Sequence, residues 1–282
     1  MLAPFLSLAD NLPMRETVAD SPLAKVFPSP NHGERAAGLK PELILLHYTG
    51  MPNAKSALKW LCNPESSVSC HYLVHESGKI LQLVPEARRA WHAGTGSWRG
   101  VSDINSRSIG IEIVNAGHDG ARVDPEDPRR PLVGAPALGP PAPFPKRQIT
   151  ALIKLLRDIA ARWGIPPVNV LAHSDIAPIR KRDPGEAFPW DRLAAEGLGL
   201  WVPPTPIRSG HFYQRGDGGA PVEALQKMLS MLGFAVPATG RYCEETEAVV
   251  RAFQRHWRPA RVDGVADFST ITTLRDLLKA AT

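Results

Sequence analysis

The chain has 282 residues, 43% hydrophobic, 22% charged and 7% aromatic, which excludes fibrous and wholly disordered classes and leaves room for a main domain and a smaller one. A formal charge of +5 and a pI near 9.2 permit attraction to anionic polymers, but Lys and Arg are scattered without an arm or stripe, so no nucleic-acid partner is expected. Three cysteines at unrelated spacings, Cys62, Cys70 and Cys243, supply neither a disulfide framework nor a CxxC metal knuckle and fit a reducing compartment.

The opening MLAPFLSLADNLPMRE lacks a positive n-region and a sufficient apolar run for a signal peptide. No stretch approaches about 18 apolar residues, so no membrane span is expected. A cytoplasmic address follows, with a periplasmic or outer-membrane-associated one as the alternative for a truncated N-terminus. Residues 1–40 are rich in Pro, Gly, Ser and Asn and read as an irregular arm. Glu42 to His47 is a short apolar run of the kind found in a strand covered on both faces, with His47 at its C-terminal end. The stretch 54–62 is helical by pattern, and VSCHYLVHE and KILQLVPE, separated by Ser77 and Gly78, read as a β-hairpin.

SIGIEIVNA (108–116) is a further buried strand, and VNVLAHSD (168–175) is a last strand ending on His173. Between them a helix over 146–163 carries Leu152, Leu155, Leu156, Ile159 and Trp163 on one face. The segment 117–145 is a Pro/Gly-rich excursion that sustains neither a helix nor a central strand. The fold class is therefore α/β, a mixed central β-sheet flanked by helices. A stiff linker at 203–210, within WVPPTPIRSG, separates residues 41–202 from 211–282. In the second part, Leu225/Leu229/Leu232, Val249/Phe253/Trp257 and Ile271/Leu274/Leu278 recur at helical spacing and predict a small three-helix domain.

A hydrolytic zinc ion needs three ligands of the His, Asp, Glu or Cys type and a position open to water. His47 and His173 both stand at strand ends, where ligands collect in open sheets. Asp183, in the Pro-punctuated loop HSDIAPIRKRDPG, is the third candidate. Glu112 puts a carboxylate in an otherwise apolar strand, where an unpaired charge costs several kcal/mol, so a cationic or metal-bound partner is expected beside it. His71 and His75, sharing a strand face, are read as packing and hairpin residues, and His118 falls in the excursion.

HSDIAPIRKRDPGEAFPW, LLHYTG, RAWHAG and SIGIEIVN, in that family's order over residues 40–202, resemble the zinc-dependent N-acetylmuramoyl-L-alanine amidases of the AmpD/AmiD type, relatives of T7-type lysozyme and peptidoglycan recognition proteins. The resemblance implies one zinc ion per chain on His47, His173 and Asp183, Glu112 as catalytic acid/base, and Lys181 assisting at the transition state. It implies that Trp91, His92 and Ala93 line a substrate groove. Two departures are Ile179, where the family often has Gly, and a longer stretch after Glu112. From about residue 208, GDGGAPVEALQKMLSMLGF, TGRYCEETEAVVRAFQRHWRP and VDGVADFSTITTL resemble a peptidoglycan-binding domain.

The implied reaction is hydrolysis of the amide between N-acetylmuramic acid, including its 1,6-anhydro form, and the L-Ala of the stem peptide. The expected partners are anhydro-muropeptides in cell-wall recycling. Alternatives are an exported amidase acting on the murein sacculus and a recognition protein that binds peptidoglycan without cutting it. Nothing in the helix stripes indicates an oligomeric state.

Overall fold

The computed structural model describes residues 18–118 and 142–281. Residues 1–17 of the expected arm and 119–141 of the expected excursion lie outside the described residues.

The described chain starts with two short strands, β1 (Ala24–Val26) and β2 (His32–Glu34), followed by β3 (Leu43–Tyr48). Helix α1 (Ala54–Leu61) starts where the Asn53 side chain accepts the Ser56 N–H, an ordinary N-cap. The hairpin of β4 (Tyr72–Val74) and β5 (Ile80–Gln82) turns at Gly78, whose φ of +84° is inexpensive only for glycine. Then come β6 (Arg88–Ala90), the single turn α2 (Ile104–Arg107) and β7 (Ser108–Ile113). Helix α3 (Lys146–Trp163) ends on Gly164 in the left-handed region, and β8 (Val170–Ala172) runs directly into the turn α4 (His173–Ile176).

The central sheet has the order β1-β5-β4-β7-β3-β8. β7 pairs in parallel with β3 and β4, and β3 with β8, while β4 and β5 form the antiparallel hairpin. This is the expected mixed α/β architecture. One expectation is corrected. Residues 24–26 and 32–34 of the supposed irregular arm are strands, one extending the sheet edge along β5 and the other pairing with β6. Edge pairing uses main-chain groups and needs no apolar alternation, so hydrophobic periodicity gave no signal there.

Alternation along the strands divides the sheet into two faces. Ile44 and Leu46 of β3, Ile109, Ile111 and Ile113 of β7, and Tyr72 and Val74 of β4 face the apolar side of α3, with Ile149, Leu152, Leu155, Leu156 and Ile159. The residues between them, Leu45 and His47, Gly110 and Glu112, belong to the opposite face. In the β3–β7 register His47 pairs with Glu112, which on its other side pairs with Leu73 of β4.

After α5 (Trp190–Ala194) the chain forms β9 (Phe212–Tyr213), α6 (Ala220–Leu232), α7 (Glu244–Trp257), β10 (Ala266–Asp267) and α8 (Phe268–Ala280). The three helices coincide with the three apolar stripes. A continuous cluster of buried side chains joins them to the main sheet: Leu43, Leu45, Leu171 and Ile176 lie in the same core as Val222, Leu229, Phe253 and Trp257. The Pro-rich connection is held as well, with Thr205 N–H donating to Thr273 Oγ1 at 3.0 Å.

Candidate metal centre

Three elements bring the predicted residues together. β3 presents His47 on its last turn of pleat, β8 ends where α4 begins with His173, and the loop after α4 returns to place Asp183 against both. His47 Nδ1 and His173 Nδ1 are 2.8 Å apart, and Asp183 Oδ2 is 2.9 Å from each. The three residues are buried, and their ligand atoms form a compact triangle. The loop is locked by the Ser174 N–H, which donates to the Asp183 carbonyl at 3.1 Å.

The donor chemistry suits a zinc ion. Two imidazole nitrogens and one carboxylate oxygen are a hydrolytic ligand set. The far nitrogen of His173, Nε2, donates to the Ala93 carbonyl at 2.9 Å, which leaves Nδ1 with its lone pair toward the triangle. His47 is held from behind by His92, Nε2 to Nδ1 at 3.1 Å. Burial, and then the neighbouring His173, lower His47 to a pKa of about 4, so its ring is a neutral donor at neutral pH. Burial works against the charge of Asp183, but the two histidines outweigh it and hold the carboxylate well below its usual range.

Glu112 stands beside this triangle on the adjoining strand. Burial, reinforced by the charge of Asp183, pushes its carboxyl well above the usual range, while Lys181 works in the opposite direction. A carboxyl so raised holds and releases a proton under conditions where an exposed glutamate would be ionised, which is what an acid/base group requires. The triangle, Glu112 and Lys181 border one cavity of about 580 Å³, walled further by Met51, Trp60, Trp91 and Arg180. Trp91 and His92 line it. Ala93 does not: it is fully buried, its carbonyl accepts from His173 and from Arg180 Nη2, and no substrate can reach its side chain. Its importance lies in a main-chain oxygen, which no side-chain motif reveals.

Three features behind the site escaped the reading of the sequence. Gly110, one strand position pair below Glu112, makes the seat for His92, since a Cβ there would lie 2.4 Å from the imidazole. The signal was available, because glycine inside a strand marks a close approach. Ser108 Oγ meets His92 Nε2 at 3.2 Å. Arg180 Nε donates to the Thr95 carbonyl at 3.0 Å, fastening the loop beside Lys181 to the Trp91–Ala93 segment. His71 is a buried hydrogen-bonding residue and His75 sits at the hairpin, in keeping with the reading of both as structural. Ile179 is 68% exposed and outside the cavity lining.

Comparison with known proteins agrees with this geometry. The family of N-acetylmuramoyl-L-alanine amidases matches residues 37–186, and a peptidoglycan binding domain family matches 218–274. The chain is 39% identical over 257 residues to the N-acetylmuramoyl-L-alanine amidase AmiD of Escherichia coli K12, covering 87% of this chain and 85% of that protein. It is 32% identical over 187 residues to the 1,6-anhydro-N-acetylmuramyl-L-alanine amidase AmpD of the same organism, covering 60% and 90%. Among solved structures, E. coli AmiD with the substrate anhydro-N-acetylmuramic acid-L-Ala-D-gamma-Glu-L-Lys superposes with a TM-score of 0.69 at 36% identity, covering 88% of this chain and 93% of that one. AmpDh3 of Pseudomonas aeruginosa with anhydromuramic pentapeptide gives 0.66 at 27% identity, covering 90% and 96%.

Proposed function

The chain belongs to the N-acetylmuramoyl-L-alanine amidase family, and from that premise we propose that it hydrolyses the amide between N-acetylmuramic acid, including the 1,6-anhydro sugar, and the L-Ala of the stem peptide in cell-wall recycling. The observation that carries this reading is the buried His47–His173–Asp183 triangle with the buried carboxyl of Glu112 on the next strand. When bound there, a zinc ion supplies water with a pKa near 7 and polarises the scissile carbonyl.

The chain's own residues do the rest. Glu112 takes a proton from the attacking water and returns it to the nitrogen of the departing L-Ala, so that one O–C bond forms, one C–N bond breaks and the proton count balances. Lys181 sets a positive charge at the cavity wall, toward the oxygen on which negative charge develops. His92 and the Ala93 carbonyl hold the rings of His47 and His173 in their donor orientation, and Trp91 offers an apolar wall for the sugar or the stem peptide. In this reading residues 41–202 are the catalytic domain and 211–282 the peptidoglycan-binding one. The complete ligand set speaks against a recognition protein that binds without cutting.

Offering the purified protein an anhydro-muropeptide and intact sacculi in parallel, with and without chelator, tests the proposal. Release of the stem peptide from the small substrate, abolished by chelator and restored by zinc, is the expected result by mass spectrometry. Peptide release from neither substrate overturns the amidase reading, and release untouched by chelator overturns the metal. The match of residues 218–274 to a peptidoglycan binding domain favours the sacculus as a second substrate, which the parallel arm reads. No helix among the described residues is long and apolar enough to cross a membrane. The free thiols of Cys62, Cys70 and Cys243 support the cytoplasm as the compartment, and cell fractionation checks it.

A further inference from the structure

Within the apolar core that the C-terminal helices share with the sheet, one buried polar side chain reaches the turn behind the metal centre. His256, in the last turn of α7, is 1% exposed and its ring is stacked between Trp190 and Trp257, with both centroid distances 3.6 Å. Its Nδ1–H donates to Asp175 Oδ2 at 2.7 Å. The same oxygen accepts the Ala172 N–H at 2.8 Å. Asp175 thus spans the turn from the last residue of β8 into α4, and the residue at the start of that helix is His173. The following residue, Ser174, holds the Asp183 backbone. One buried carboxylate therefore braces the turn that presents His173 and that holds the Asp183 backbone through Ser174, and His256 is its only side-chain donor among the described residues.

The surroundings make this brace rigid. A tethered sugar-binding module meets its neighbour through a modest, fairly polar surface and moves relative to it. Here α7 shares an apolar core with the sheet, Trp257 Nε1–H donates to the Leu200 carbonyl at 2.8 Å, and the Arg99 N–H donates to the Gly233 carbonyl at 2.8 Å. Stripped of its His256 donor, the Asp175 carboxylate would sit dehydrated against aromatic rings with one main-chain partner, a costly state that the turn relieves only by moving.

We propose that the C-terminal helical unit is part of the framework of the metal centre, with His256 a positioning residue that holds Asp175 and, through it, the His173–Asp183 ligand pair. This rests on the reading of that triangle as a zinc site.

The test uses the full-length protein and four variants, with zinc affinity read by competition against a chromophoric chelator and site geometry read from the visible spectrum after cobalt replacement. His256→Ala weakens zinc about 10- to 100-fold and shifts the cobalt bands. His256→Asn, whose amide nitrogen falls near the Nδ1 position, stays within about threefold of wild type, whereas His256→Gln, whose amide reaches past it, loses about tenfold or more. Leu274→Ala, a core truncation in α8 of the same apolar cluster, lowers the melting temperature but leaves zinc affinity within about twofold. Wild-type zinc affinity in His256→Ala, or an equal loss in Leu274→Ala, overturns the coupling. Should the alanine variant not fold, the Asn and Gln pair decides, and equal affinities in the two overturn it. A wild-type protein that takes up no zinc refutes the metal reading itself, and this inference with it.

Discussion

The two faces of the central sheet are made by the same strands and do opposite work. Toward α3, Ile44, Leu46, Ile109, Ile111 and Ile113 meet an aliphatic stripe and exclude water. Toward the other side, the intervening positions of β3 and β7 supply His47, Gly110 and Glu112, which are polar, small or chargeable. Because side chains alternate strictly, a one-residue slip of β7 would exchange the faces, burying a carboxylate against α3 and pointing isoleucine at the metal. The aliphatic face therefore fixes the register on which the chemistry depends. It follows that damage to the face toward α3 should appear as lost stability, and damage at His47, Gly110 or Glu112 as lost turnover or metal.

The largest effect is expected at Glu112. Glu112→Gln keeps the shape of the side chain but cannot exchange the proton, so turnover on an anhydro-muropeptide should fall by about 10²–10⁴ with zinc content unchanged by plasma emission analysis. Retained turnover would remove Glu112 from the reaction, and lost zinc would make it a ligand. On the opposite face, Leu155→Ala empties a fully buried position and should cost about 2–5 kcal/mol in urea unfolding while leaving zinc affinity unaltered. A large change in zinc affinity there would show that the faces are not separable in the way the alternation implies. Gly110→Ala brings the two kinds of damage together. The added methyl meets the His92 ring, the ring must leave its contact with His47, and zinc affinity should drop about 10- to 100-fold by chelator competition.

Legibility in the sequence followed the same division. The aliphatic face is a periodic signal legible from spacing, as is α3, whose expected bounds of 146 and 163 are those observed. His47 and His173 were visible because apolar runs ended on them, and Glu112 because a charge inside such a run needs a reason. What escaped notice depends on atoms far apart in sequence or on the main chain. The seat of His92 is made by Gly110, eighteen positions away. The Ala93 carbonyl has no side-chain signature, and the strands of residues 24–26 and 32–34 exist through backbone pairing. The Pro-rich run at 203–210 reads as a spacer between independent units, yet the apolar stripes on its far side complete a core begun by Leu43 and Leu45. A stripe shows that a helix has a buried face; it does not show which surface does the burying.

The smallest effect concerns His71, on the polar face just before β4, and it separates the faces by pH. His71 Nδ1 accepts the Gly110 N–H at 2.9 Å, and its Nε2–H donates to the Arg88 carbonyl at 3.0 Å, with the Arg35 guanidinium alongside. Burial, and then the Arg35 charge, lower its pKa to about 3. A second ring proton would have to sit at Nδ1, directly opposite the Gly110 N–H. In the unfolded chain the ring takes up its proton near pH 6.5, so between these values the unfolded state binds the extra proton and the folded state does not. Stability is accordingly complete above about pH 6.5 and is lost as the pH falls toward 3, by roughly 1.4 kcal/mol per unit, or about 2 kcal/mol at pH 5. His47 and His92 are lowered too and add to the wild-type slope, which is why the comparison must be differential. His71→Gln should be less stable than wild type at pH 7.5 but lose about 2 kcal/mol less on acidification to pH 5, as followed by urea unfolding at the two values. Parallel slopes would mean that the ring takes up its proton at the same pH in the folded protein as in the unfolded chain, and that the polar face tolerates a charge beneath Gly110 which its hydrogen bonds leave no room for.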